Sequence, residues 1–157
     1  TKEDIFRAVV EQGVAPNLSA VQNILANASA DFPVLLRGLV KVLAGVVATT
    51  PVGGIVKMVI GESRNFPELA QAWHAQLVRP ALAAMTQAIA AAQARGELRS
   101  GDPRLHAISL ISPLLVGVVW RETFLPVGAE PIDIPALAEQ HVELWLRGML
   151  TKSGAAS

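Results

Sequence analysis

The sequence predicts an all-α fold, a bundle of about six helices, on three grounds. Apolar residues recur at intervals of three and four over most of the 157 residues. Cap residues, prolines and glycines interrupt that pattern at the places where helices start and stop. No run sustains the period-2 alternation of a half-buried strand, and no fixed-period repeat is visible.

The first helix opens on "TKEDIFRAVV", where Glu3 and Asp4 favour the positive end of a helix dipole and Ile5, Phe6, Val9 and Val10 form the stripe. Gly13 and Pro16 weaken it, and Leu18, Val21, Ile24 and Leu25 resume the period, so one bent helix is expected. Asp31 before Phe32 and Pro33 is an N-cap signal, and Leu35, Leu36, Leu39, Val42 and Leu43 carry a helix to about residue 49, where "TTPVGG" ends it. Residues 55–60 read as a short connecting helix reached through Gly53 and Gly54. In "NFPELA", Asn65 can cap, Pro67 lies in the first turn and Glu68 stands at capping-box spacing. The long helix that follows has two apolar stripes, through Leu69, Trp73 and Leu77 and through Leu82, Met85 and Ile89, which suit a central position. Gly96 behind Arg95 reads as its C-cap, and Asp102 with Pro103 starts the next helix, expected to run to about residue 124. After "LPVGAEPIDIP" a last helix is expected over 136–150, with 151–157 a frayed tail.

The length suits one domain, set here at residues 1–150. Hydrophobic residues are 52% and charged residues 17%, more apolar surface than a monomer of this size easily hides, so self-association is expected. Lys+Arg and Asp+Glu number 13 each, which leaves no basic excess for phosphate and argues against nucleic-acid binding by these residues alone. Without cysteine there is no disulfide frame, thiol nucleophile or thiolate metal site. The longest uncharged runs, 42–56 and 105–120, are interrupted by proline and fall short of a membrane span of roughly 18 to 20 residues. No export signal is seen at the start, and a cytoplasmic location with no membrane contact is expected. His74, His106 and His141 lie on three different predicted helices, and no metal-ligand spacing, phosphate loop or catalytic cluster occurs. Neither an enzyme nor a cofactor is therefore expected.

The order of segments resembles the C-terminal ligand-binding and dimerisation domain of TetR-family transcriptional regulators, over essentially the whole chain. The likeness rests on the "TKEDIFRAVV" opening, on "ESRNFPELAQAWHAQLVRPAL" and on "ARGELRSGDPRL" between the long helix and the next. The resemblance implies a non-catalytic sensor of a small apolar or amphipathic effector that controls operator release by a repressor. It implies that the last two helices pair with a second subunit as a four-helix bundle, giving a homodimer. DNA is contacted in that family by an N-terminal helix-turn-helix domain that these residues do not include, so the abrupt start is expected to be a truncation.

Pro113 removes an amide donor from "HAISLISPLLVGVVW" and crowds the Ser109 carbonyl, and Pro80 does the same to Gln76. Such kinks either serve packing, with Ser109 and Ser112 bonded to their own helix, or present polar groups to an apolar pocket. Candidate ligand residues on the second reading are Gln76, Ser109 and Ser112 as orienting groups, with Leu39, Leu43, Trp73, Leu77 and Trp120 as apolar or aromatic wall. Arg121 and Glu122 read first as a solvated helix end, with the pocket mouth and the subunit interface as the alternatives. Candidate interface residues are Val116, Gly117 and Val119, for close helix approach, with His141, Leu144 and Trp145 on the last helix. The competing reading is a helical protein-interaction module with a packed core, an exposed groove and no ligand cavity.

Overall fold

The computed structural model describes residues 1, 4, 5, 8, 15–26 and 31–152, and all regular elements among them are helical. They form six rods: α1 (Ala15–Ala26), α2 (Phe32–Thr49), α3 (Val52–Glu62), α4, α5 and α6 (Ile134–Met149). The α4 rod joins Pro67–Trp73, a π turn at His74–Val78 and Arg79–Ala94, while α5 runs over Pro103–Val119, widens into a π turn at Trp120–Phe124 and closes as a 3-10 turn at Leu125–Val127. Asp4, Ile5 and Ala8 are helical; the rest of the expected opening stripe and the bend at Gly13 lie outside the described residues.

Proline explains both π turns. The rings of Pro80 and Pro126 would strike the carbonyls four residues earlier, those of Gln76 and Glu122. Widening to five-residue bonds, Arg79 N–H to His74 O and Leu125 N–H to Trp120 O, swings those carbonyls aside. Lys57 Nζ then donates to the Glu122 carbonyl. Pro113 sits inside a continuing α-helix instead, and its orphaned carbonyl, that of Ser109, accepts from the His141 ring at Nε2, 3.1 Å away on α6. Of the two readings of that kink, the structure thus shows packing between α5 and α6.

Two hydrophobic clusters result. The larger joins α1, α2, the second half of α4, α5 and α6 around Leu36, Leu39, Ile89, Val142 and Leu146. The smaller joins α3 to the start of α4 through Ile55, Val59, Leu69 and Trp73. Helices α2 and α6 lie antiparallel, with Phe32 against Trp145 and Arg37 bonded to Glu143. That hydrogen bond raises the Arg37 pKa and lowers that of Glu143 below the usual carboxylate range. With both side chains well exposed, the pair contributes less than about 1 kcal/mol.

Several helix ends differ from expectation. α4 starts one residue later than an Asn65 cap requires: Phe66 holds the N-cap position and packs on the smaller cluster, and no side chain caps the helix. Burial of the Phe66 ring has outweighed the capping box. Asp31 stands at the α2 N-cap without a side-chain capping bond. α3 spans Val52–Glu62 and includes both glycines, of which Gly53 is closely approached: a Cβ there would lie 2.6 Å from Arg121 Nη2. α6 starts at Ile134, two residues early, since Asp133 accepts from Ala136 N–H. Asp102 caps α5 through Arg104 and Leu105 N–H, and Gly96, at φ +77°, ends α4 with Glu97 N–H on Ala92 O and Gly96 N–H on Gln93 O. An antiparallel bridge, Leu98 to Leu150, ties that turn to the end of α6, and Thr151 N–H continues it onto Glu97 O. The rest of the expected tail, from residue 153, lies outside the described residues.

Among the described residues two helices, Phe32–Thr49 and Pro103–Val127, are by length and composition long and apolar enough to cross a membrane, whereas the uncharged runs alone fell short. In the most apolar 18-residue window of each, 39% of the first and 17% of the second are buried, so the second leaves more apolar surface exposed.

Candidate ligand groove and helix-pair surface

A groove of about 270 Å³ lies where the two clusters meet. Its walls take Val21 from α1, Leu43 from α2, Val56 from α3, Trp73 and Met85 from α4, and Val118 from α5, and every lining side chain is apolar. Ala81 and Ala107, on facing helices, contribute only methyl groups, which leaves the space unfilled. On the α5 side the wall is partly open, since Ile111 is 37% and Leu115 50% exposed.

A polar knot joins the ends of α2 and α5. Arg121 donates to the Val47 and Thr50 carbonyls at the C-terminus of α2, where a cation suits the helix dipole, and also to Glu122. Lys57 reaches the Glu122 carbonyl from α3. Both side chains of the Arg121–Glu122 pair are about three-quarters buried, so the expected solvated helix end is instead a tie between α2, α3 and α5. Sequence reasoning missed it because its main acceptors are backbone carbonyls some 70 residues away.

The predicted ligand residues separate accordingly. Trp73, Leu77 and Leu43 line the groove. Gln76, one residue before Leu77 in the π turn, is exposed. Ser109 and Ser112 are exposed too and donate to the carbonyls of His106 and Ile108 on their own helix, so none of the three predicted orienting groups reaches the groove. Leu39 is fully buried in the main core. Trp120 donates to Glu130 O at 2.7 Å and stacks edgewise on Phe124, anchoring the loop before α6.

The predicted interface residues divide as well. Val116 and Leu144 are 56% and 57% exposed, on the outer sides of α5 and α6. Leu105 and Ile108 on α5 are exposed as well. Gly117 is buried against Ile134, 3.1 Å from where its Cβ would stand, and Val119 is half-buried, so the close approach that glycine allows is to the chain's own α6. His141 and Trp145 face inward onto Ser109, Trp145 Nε1 donating to its hydroxyl. Among the described residues no three His, Asp or Glu side chains are grouped as metal ligands. A second hollow of about 260 Å³ lies between α2 and α6, but Arg37, Lys41, Glu139 and Glu143 line it with charge.

The features together are those of a helical bundle with an apolar groove and with exposed apolar side chains on its last two helices. Residues 34–134 match the tetracyclin repressor-like C-terminal domain, and the chain belongs to that family. Its members serve TetR-type regulators, which act as dimers that bind DNA and small-molecule effectors. The fold matches a crystal structure of a candidate TetR-family transcriptional regulator from Mesorhizobium loti MAFF303099 with a TM-score of 0.76 at 20% identity, over 96% of this chain and 76% of that one. No curated protein matches the sequence.

Proposed function

We propose that this domain senses a small apolar effector in the groove between the two clusters, and dimerises through the outer face of α5 and α6, within a cytoplasmic TetR-type repressor whose DNA-reading head lies outside these residues. The observation that carries the proposal is a groove with wholly apolar walls built from five helices, so that a bound molecule touches elements from both clusters at once. An effector acts by population shift: it moves the regulator toward release only as far as it binds the released arrangement more tightly. Apolar compounds of about ten to fifteen heavy atoms are expected to raise the unfolding temperature in thermal melts; a panel of them without effect contradicts the proposal.

Dimerisation follows from the surface carrying Val116 and Leu144, which two copies can cover as a four-helix bundle burying upwards of about 1,200 Å². Val116→Glu and Leu144→Glu, both at exposed positions, are expected to give folded monomers in light scattering, while the unchanged chain is a dimer at micromolar concentration. A monomeric unchanged chain contradicts this part. The partly open α5 wall supports a second reading, in which the groove receives an apolar segment of a protein partner. That reading predicts no stabilisation by small molecules.

A further inference from the structure

The hollow between α2 and α6 is built differently from the groove and shares no residue with it. Four charged side chains line it, in two same-face pairs: Arg37 and Lys41 one turn apart on α2, Glu139 and Glu143 one turn apart on α6. The antiparallel register that bonds Arg37 to Glu143 places Lys41 opposite Glu139. Arg37 and Glu143 are satisfied on each other. Lys41 and Glu139 make no hydrogen bond or ion pair among the described residues, with each other or with anything else. Of the remaining lining residues, Val40, Ala44, Ala138 and Val142 are apolar and buried, and so form the floor, while Lys41 and Glu139 are exposed and stand at the rim. Ala44 and Ala138, one from each helix, contribute only methyl groups to that floor.

We infer that this hollow is a second ligand site, for a small zwitterion of the amino-acid class with an apolar side chain. The ligand's carboxylate faces Lys41, its ammonium faces Glu139, and its side chain covers the apolar floor. With Arg37 and Glu143 paired, one cation and one anion are left over, and a zwitterion answers both. A simple acid meets Lys41 but also the like charge of Glu139, and a simple amine meets Glu139 but also that of Lys41, so each is disfavoured. The volume of about 260 Å³ lies just below the roughly 300 Å³ at which drug-sized pockets begin, which suits a single amino acid. Both rim charges are open to water, so each is worth about 2- to 5-fold in affinity and binding is millimolar.

The test uses the whole chain and three compounds with one hydrocarbon skeleton: L-leucine, 4-methylpentanoate, which lacks the ammonium, and 3-methylbutylamine, which lacks the carboxylate. In proton–nitrogen NMR spectra at neutral pH, leucine is expected to shift the amides of Lys41, Ala44, Ala138 and Glu139 to saturation, and each analogue to bind about 2- to 5-fold more weakly. Lys41→Gln is expected to weaken leucine and 4-methylpentanoate by that factor without weakening the amine. Glu139→Gln is expected to weaken leucine and the amine without weakening the acid. Both positions are exposed and unpaired, so both variants are expected to fold; if either does not, the ranking of the three compounds on the unchanged chain decides. No shift at these amides with leucine up to about 50 mM overturns the inference. Equal binding of all three compounds overturns it too, since the rim charges then select nothing. Neither failure touches the groove, whose walls lie elsewhere.

Discussion

At the scale of single residues, polar groups reveal what composition cannot. Gly101 has φ +145°, and a Cβ there would lie 2.3 Å from His106 Nε2, so both backbone and neighbour require glycine. Gly101→Ala is expected to cost about 1 to 3 kcal/mol in urea unfolding; an unchanged midpoint would contradict this placement of His106. The prolines show what a sequence can and cannot tell. That Pro113 strands the Ser109 carbonyl is legible from the residues alone, whereas the acceptor's partner, His141, is 32 residues away and has no local signature. Ser109 and Ser112 carried the right chemistry for a pocket, but nothing in a chain of residues says which way a kinked helix is turned.

Elements are where the sequence was most informative, because helix starts and stops are set by neighbours within a turn. Asp102 and Gly96 act as their positions suggest. Where local signals failed, as at Asn65, a burial preference one residue along had overridden a cap worth about 1 kcal/mol. The connection of α5 to α6 is open to a double-mutant cycle. His141→Phe is expected to cost about 1 to 2 kcal/mol by leaving the Ser109 carbonyl without its donor. In a Pro113→Ala background the amide restored by that substitution supplies the carbonyl from within α5, so the cost should fall by at least about 0.5 kcal/mol. Additive costs in thermal unfolding would mean that the two residues are not linked through Ser109.

For the whole molecule, the fold class and helix count followed from periodicity, since each helix shows its apolar stripe independently of the others. The groove did not, because an apolar position lining a void and one filling a core look alike in sequence: Leu39 and Leu43 are one turn apart, and only Leu43 borders the space. The outer face of α5 and α6 shows the same ambiguity in reverse, with Trp145 turned inward and Leu144 beside it turned out. The central claim is that the groove between the clusters holds an apolar ligand, and the three methionines supply a direct test, since Met85 borders the groove while Met58 and Met149 do not. With the methionine methyl groups carbon-13 labelled and 2-octanone titrated in, the Met85 signal is expected to shift to saturation while those of Met58 and Met149 stay in place. Saturation with Met85 unmoved would contradict the account.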